Sequence, residues 1–300
     1  MQELAPIVLF VYNRPWHLKQ TLSSLKQNEL AQNSTLYIFS DGSKSESDRK
    51  FVDEVREIIK AVDGFKTVNI ILRDKNLGLA NSVISGVSKV IKKYEHVIVV
   101  EDDMIFSKSF LEYMNRILFF YQHDMKVFSV SGYNFPISIP SSYKNEIYFS
   151  PRASSWGWAT WQNRWDKVDW NVADFNNFIT DRDAVETFNQ GGDDLTLMLK
   201  KQVEGKIDSW AVRWCYAHYK NKAYCAYPTK SFVMNIGTDK SGTHLKKTKK
   251  YNVKLGEFLK LQNLPESVFI DDQIIKNFQS FFKKNILQKI YNNLKRMISL

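Results

Sequence analysis

The chain has 300 residues, 44% hydrophobic and 25% charged, with 42 basic against 32 acidic side chains and a formal net charge of +10. That composition excludes a disordered, collagen-like or disulfide-framed protein, and the length allows one large domain or two modest ones around a sizeable core. Apolar runs such as Ile7–Tyr12 are about six residues long, far short of the ~18–20 that a spanning helix needs, and Met1–Pro6 carries no signal-peptide pattern. The two cysteines, Cys215 and Cys225, lack the spacing of a zinc knuckle and read as reduced core thiols of a cytoplasmic protein. The positive charge is concentrated near the C-terminus. Lys240–Lys254 holds six lysines and no acid, and Gln273–Leu300 holds six basic residues and no acid. The rest is near neutral, so the charge does not describe a nucleic-acid-binding face.

In chain order, Ile7–Tyr12, Thr35–Ser40, Val68–Leu72, His96–Glu101 and Val127–Ser131 are short apolar or β-branched runs, as strands buried on both faces require. Between them, Phe51, Val52, Val55, Ile58, Ile59 and Val62 fall on one helical stripe. Leu79, Val83, Ile84, Val87, Val90, Ile91 and Tyr94 fall on another. Ser107 is expected to open a helix over Phe110–Tyr121. The series predicts an α/β fold with a doubly wound, mostly parallel sheet. After about residue 135 the pattern changes to a Pro- and Ser-rich loop, an aromatic block over Ser154–Asp166, and helices near Asp194–Gln202 and Ser209–Lys220. Short strands near Tyr224–Tyr227 and Ser231–Met234 follow, then a polar loop over Asn235–His244. The expected division is 1–132 for a nucleotide-type half, 133–255 for a substrate half and 256–300 for a basic amphipathic tail.

Open parallel sheets bind ligands beyond the carboxyl ends of their strands. The residues at those ends are Asn13-Arg14, Asp41-Gly42, Arg73-Asp74 and Glu101-Asp102-Asp103. No dinucleotide fingerprint, P-loop, nucleophile elbow or zinc-protease motif occurs. Three consecutive acids after a buried strand repel one another, and a hard divalent cation relieves that repulsion. The competing reading is a solvated acidic turn before the next helix. Tyr12-Asn-Arg-Pro15 is not the Gly-rich basic loop that a sugar-nucleotide nucleotidyltransferase wants. A non-catalytic basic binding module would leave the acid triplet unexplained.

The set Val11-Tyr-Asn-Arg14, Phe39-Ser-Asp-Gly42, Asn76-Leu-Gly78 and Val100-Glu-Asp-Asp103 resembles the nucleotide-binding half of a GT-A fold glycosyltransferase. More narrowly it is similar to bacterial family 2 sugar transferases related to the N-acetylglucosaminyltransferase I family, which carries the same Glu-Asp-Asp variant of the Asp-x-Asp motif. Ser155-Trp-Gly-Trp158, Ile207-Asp-Ser-Trp-Ala-Val-Arg-Trp214 and the Asn235–His244 segment resemble that family's acceptor-side pieces, so the likeness covers roughly residues 5–250.

The resemblance implies a metal-dependent, inverting transfer from a UDP-sugar (UDP-GlcNAc or another UDP-hexose) to a saccharide or polyprenyl-linked saccharide in bacterial surface polysaccharide assembly, O-antigen or capsule. Asp41 would accept from the uracil N3–H, with Tyr12 near the base and Arg14 and Arg73 at the nucleotide. Asp103 would ligate Mn2+ or Mg2+, Asp102 would face the ribose or donor sugar, and Glu101 a sugar hydroxyl. Asp208 matches the catalytic base, though an Asp there is also a good helix N-cap. Asp194 or Asp193 in Gly191-Gly-Asp-Asp-Leu is the rival base. Trp156, Gly157 and Trp158 are expected at the sugar, against the alternative that four tryptophans between Trp156 and Trp165 are core. Ser241, Gly242 and His244 would close over the diphosphate. In the tail, Phe278, Phe282, Ile286, Ile290, Leu294 and Met297 recur at helical spacing beside Lys283, Lys284, Lys289, Lys295 and Arg296. A helix of that kind can lie on an anionic surface, here the cytoplasmic face of the inner membrane, where it would hold the protein peripherally, against the alternative of a terminal helix docked on the domain.

Overall fold

A computed structural model describes residues 3–239, 248–256 and 263–283. Among them run ten strands, β1 (Ile7–Val11), β2 (Thr35–Ser40), β3 (Thr67–Leu72), β4 (His96–Glu101), β5 (Met104–Phe106), β6 (Val127–Ser131), β7 (Ile147–Ser150), β8 (Trp158–Trp161), β9 (Tyr224–Pro228) and β10 (Val233–Asn235). The helices are α1 (Pro15–Lys26), α2 (Glu46–Lys60), α3 (Leu79–Tyr94), α4 (Phe110–Phe120), α5 (Gln162–Trp165), α6 (Phe175–Thr180), α7 (Arg182–Phe188), α8 (Leu195–Val203), α9 (Trp210–Lys220) and α10 (Asp272–Phe282).

Eight strands form one sheet in the order β3-β2-β1-β4-β8-β6-β9-β7, and β5 pairs with β10 in a separate ribbon. The β3-β2-β1-β4 half is parallel. Strand β8 enters antiparallel between β4 and β6. The sheet therefore runs unbroken through both expected halves.

Every residue of β1 is buried. Ile7, Leu9 and Val11 face one core cluster, with side chains of α1, α2, α4 and α10, while Val8 and Phe10 face the other, with α3 and α6 to α9. Strand β4 splits the same way, Ile98 and Val100 against Val97 and Val99. A strand between two helical layers must be apolar at every position, so its run is continuous rather than alternating. Each fully buried large aliphatic stabilises by ~1.5–3 kcal/mol. This is the doubly wound α/β architecture expected of a GT-A chain.

Some expectations need correction. Ser107 does not open α4 with its side chain. Its carbonyl accepts from the Phe110 N–H at 3.1 Å, and Ser109 holds the cap position. Strands β7 and β8 escape the apolar-run pattern because they are short and aromatic. Helix α10 uses its stripe inward, with Ile274 and Phe278 buried in the core and Phe282 nearly so. Within 272–282 the apolar face is therefore a docked terminal helix and not a membrane-facing one. The remaining tail, 284–300, lies outside the described residues. Among the described residues no helix is long and apolar enough to cross a membrane. Cys215 and Cys225 are both buried free thiols.

Candidate active site

Strands β1 and β4 are parallel neighbours with Phe10 level with Glu101, so the residues that follow each strand emerge side by side. After β1 the chain turns at Tyr12-Asn13-Arg14 into α1, which has proline at its first position. Proline there forfeits no hydrogen bond and pre-sets the helical φ. Arg14 makes no side-chain cap and instead reaches the acids beyond β4. Its Nη1 donates to Asp103 Oδ2 at 2.9 Å and its Nη2 donates to Asp102 Oδ1.

The other carboxylate oxygens are also engaged. Asn235 Nδ2 donates to Asp103 Oδ1 at 3.1 Å, and the Tyr12 backbone N–H reaches Asp102 Oδ2 at 3.3 Å. Thr21 on α1 ties down the turn, donating to the Asp102 carbonyl at 2.8 Å and accepting from the Met104 N–H at 3.0 Å. Pairing of β5 with β10 sets Asn235 opposite Met104, and the Ile236 N–H donates to the Asp103 carbonyl at 2.8 Å. The backbone at Gly237 lies over the pair. A Cβ there would come within 2.0 Å of Asp103 Oδ2 and 3.0 Å of Arg14 Nη1. Asp102 and Asp103 are 3% and 7% exposed.

Burial and then Asp103 push the Glu101 carboxyl up to about 8, against the pull of Arg14. Burial also raises Asp102, opposed by Arg14. Burial works against the Arg14 charge, yet Asp102, Asp103 and Glu101 together hold it above the usual arginine value. The Asp102 and Asp103 carboxylates offer hard oxygen donors of the kind that Mg2+ or Mn2+ takes. Among the described residues no group of three carboxylate, imidazole or thiol side chains is arranged to hold a metal ion. A cation here would rest on one or two carboxylates plus substrate phosphates.

Asp41, beyond β2, is buried. It accepts from the Leu77 N–H at 3.0 Å and from Arg73 Nη1 at 3.5 Å. Burial raises its pKa, while the Leu77 N–H and Arg73 oppose the rise. Arg73 is spent within the protein. It donates to the Ser82 hydroxyl, to the Ser82 carbonyl at 3.1 Å and to Ser85 Oγ at 3.0 Å, and it lies 5.3 Å from the Phe39 ring centre. Its visible work is to clamp β3 to α3. The Tyr12 hydroxyl donates to Asp48 at 3.0 Å and accepts from the Lys44 N–H at 2.9 Å, which anchors it to the first turn of α2 and to the loop before it.

The two base candidates have different surroundings. Asp208 is exposed, and its Oδ2 accepts from the Ala80 N–H at 3.2 Å, at the start of α3. Ser209, not Asp208, caps α9 by accepting from the Val212 N–H at 3.3 Å. Asp208 thus lies beside the Leu77-Gly78 loop that Asp41 holds. Asp194 accepts two bonds from Arg152, at 2.8 and 3.0 Å, and the Arg152 guanidinium stacks 3.9 Å from the Phe282 ring centre. Asp193 is exposed.

The aromatic trio divides. Trp158 is fully buried and packs with Trp165, Trp210 and Trp214, so it is core and not a sugar platform. Gly157 has φ +58°, and a Cβ there would meet Val233 Cγ2 at 2.7 Å. Protein packing explains that glycine without a ligand. Trp156 is half-buried, edge-on to Tyr133 and Tyr251. Ser241, Gly242 and His244 lie outside the described residues. Sequence reasoning missed Asn235, Gly237 and Thr21 as members of the site. The one available signal was that Asn235 and Gly237 stand in the segment already matched to the family.

A family model described as glycosyl transferase family 2 matches residues 7–205, a stretch that contains Asp194 and ends before Asp208. A search of curated proteins finds no match. Among solved structures, the chain is similar to S. aureus TarS 1-349 in complex with UDP, at TM-score 0.42 and 10% identity, covering 77% of this chain and 59% of that one. It is also similar to the mannosyltransferase PcManGT from Pyrobaculum calidifontis in complex with GDP-Man and Mn2+, at TM-score 0.38 and 10% identity, covering 74% of each chain. This chain thus spans less than two thirds of TarS 1-349. The family match extends over more than half of the chain and over β1 to α8, the elements that carry the acid triplet, and on that ground the chain belongs to glycosyl transferase family 2.

Proposed function

We propose that this glycosyltransferase moves a sugar, with inversion, from a UDP-sugar to a saccharide acceptor, and that it uses a divalent cation. The observation that carries the reading is the convergence of Arg14, Asp102 and Asp103 at the carboxyl ends of adjacent parallel strands. Asp103 is the residue that would hold the cation, with Asp102 beside it toward the ribose or donor sugar, and the cation when bound would supply Lewis-acid stabilisation of charge on the departing diphosphate.

The chain's own groups do the rest. Asp41 and Tyr12 border the base position, and Arg14 faces the phosphates. Asp208 accepts the proton of the acceptor hydroxyl as that oxygen bonds to the anomeric carbon and the bond to the diphosphate breaks. A positioned base of this kind contributes ~10²–10⁴-fold. Asp208 is favoured over Asp194 because Asp194 spends both oxygens on Arg152, whereas Asp208 is exposed and holds one backbone N–H.

Kinship with the N-acetylglucosaminyltransferase I family, a polyprenyl-linked acceptor and work on surface polysaccharide at the cytoplasmic face of the membrane belong to the same proposal. They rest on the sequence resemblance and on the basic residues of 284–300. The test is calorimetric binding of UDP, with and without Mn2+, to the wild type and to Asp103→Ala. Metal-dependent binding that the substitution abolishes is expected. Absence of UDP binding in both conditions would overturn the UDP assignment.

A further inference from the structure

All four carboxylate oxygens of Asp102 and Asp103 accept from N–H groups of this chain, and two of those four bonds come from one guanidinium. The Arg14 side chain donates to these two acids and, among the described residues, to nothing else. It caps no helix, since Pro15 opens α1 without it, and at 18% side-chain exposure it is reachable from solvent. The acid pair therefore already has a resident cation. A second positive charge brought to the same carboxylates is repelled by it in proportion to its own charge.

A guanidinium is also a two-pronged partner for phosphate oxygens, as it is for carboxylates. We propose that Arg14 acts as an exchangeable counter-ion. It holds the Asp102–Asp103 pair closed to a divalent cation when no donor is present, and it hands its two hydrogen bonds to the donor's diphosphate when the metal and the nucleotide arrive together. Arg14 then makes metal and diphosphate binding mutually dependent, because each removes what opposes the other. No covalent bond changes in this exchange. Asn235 and the Tyr12 N–H, anchored through β10 and β1, keep the carboxylates in place while Arg14 leaves.

The inference rests on the metal-dependent reading above, and the experiment separates the two. Mn2+ is titrated into the full chain without nucleotide and again with saturating UDP, with free Mn2+ read by electron paramagnetic resonance, for the wild type and for Arg14→Gln. The wild type is expected to take up Mn2+ weakly alone, and Arg14→Gln about tenfold or more tightly alone, with a smaller further gain from UDP than the wild type shows. Equal or weaker uptake by Arg14→Gln alone, with UDP-dependent uptake retained by the wild type, overturns the exchange and leaves metal dependence standing. No uptake by either protein in either condition overturns metal dependence and the exchange with it. A measurement on the folded wild type guards against a variant that fails to fold. The Arg14 Nε–H nuclear magnetic resonance signal, identified by its loss in Arg14→Lys, should move with Mg2+ plus UDP and not with Mg2+ alone. A signal that stays unmoved by the two together overturns the proposal.

Discussion

The Asp208 carboxylate accepts a hydrogen bond from the Ala80 backbone N–H at 3.2 Å across 128 residues of sequence. The segment before α9 thereby closes the first turn of α3, and a carboxylate from the later half stands at the rim of the nucleotide-type half. Asn in place of Asp208 keeps an oxygen for that N–H and removes the base. Asp208→Asn is expected to lower kcat by ~10²–10⁴ with UDP binding and Tm nearly unchanged. Asp208→Ala should lose in addition ~0.5–2 kcal/mol of stability, the cost of a missing cap. Wild-type turnover in Asp208→Asn would place the base elsewhere.

Asp194 is expected to act on stability first. Its two bonds to Arg152 lie beneath Phe282, and burial works against the Arg152 charge while Asp194 holds its pKa up. Asp194→Asn leaves that guanidinium without its counter-charge. With the pair partly exposed, the loss should be on the order of 2 kcal/mol, read in urea unfolding, with kcat reduced less than tenfold. A loss of kcat comparable to that of Asp208→Asn, at unchanged stability, would reverse the two assignments.

Gly237→Ala tests the roof of the acid pair. The added methyl would stand 2.0 Å from Asp103 Oδ2, so the carboxylate or the segment must move. The nearest neighbours of this methyl are Asp103 and Arg14 and not apolar core side chains, and Tm should fall by only a few degrees, ~1 kcal/mol in a domain of this size. UDP binding in the presence of Mn2+ should weaken at least tenfold in calorimetry. Wild-type binding would show that the roof moves freely.

His218 sets a pH dependence apart from the active site. It is fully buried, with Nε2 2.8 Å from Ser129 Oγ and Nδ1 2.8 Å from the Trp214 carbonyl. The carbonyl only accepts, so Nδ1 carries the proton of a neutral ring. Burial lowers its pKa from the ordinary 6.5 to about 4, partly opposed by the Trp214 carbonyl. Between those values the unfolded chain binds a proton that the folded chain refuses. The contribution is therefore complete above pH 6.5 and is lost as pH falls toward 4, at up to about 1.4 kcal/mol per pH unit. Urea unfolding at pH 7 and pH 5 should show this slope in the wild type. His218→Asn should lack that component, whatever its absolute stability.

Much of the α/β core is legible in the residues themselves. Thr35–Ser40, His96–Glu101 and Val127–Ser131 are strands with the bounds their apolar runs predict, because a strand buried on both faces must be apolar throughout. The stripe over Leu79–Tyr94 is likewise α3 end to end. The placing of Arg14, Asp41 and the acid triplet at strand ends follows from those bounds. Helix α1 is less visible, since its apolar stripe is thin and its clearest sign is Pro15.

What the sequence by itself determined is a local set: the buried strands and the amphipathic helices α2, α3 and α4 of the first half, which acids and arginine end those strands, and through motif order the resemblance to GT-A enzymes. Only the tertiary structure decided the partners. Arg14 could meet a phosphate or a carboxylate, and it lies on Asp102 and Asp103 because β1 and β4 are neighbours in register. Trp156 and Trp158 share a motif, yet one is half-buried and the other fully buried, because Trp158 opens β8 inside the core while Trp156 precedes the strand, across the turn of the chain at Gly157, φ +58°. Asn235 joined the site through the β5–β10 pairing. Hydrophobic periodicity reports burial. It is silent on which buried polar group answers which, since hydrogen bonds between residues 90 or 132 positions apart leave no period in the chain.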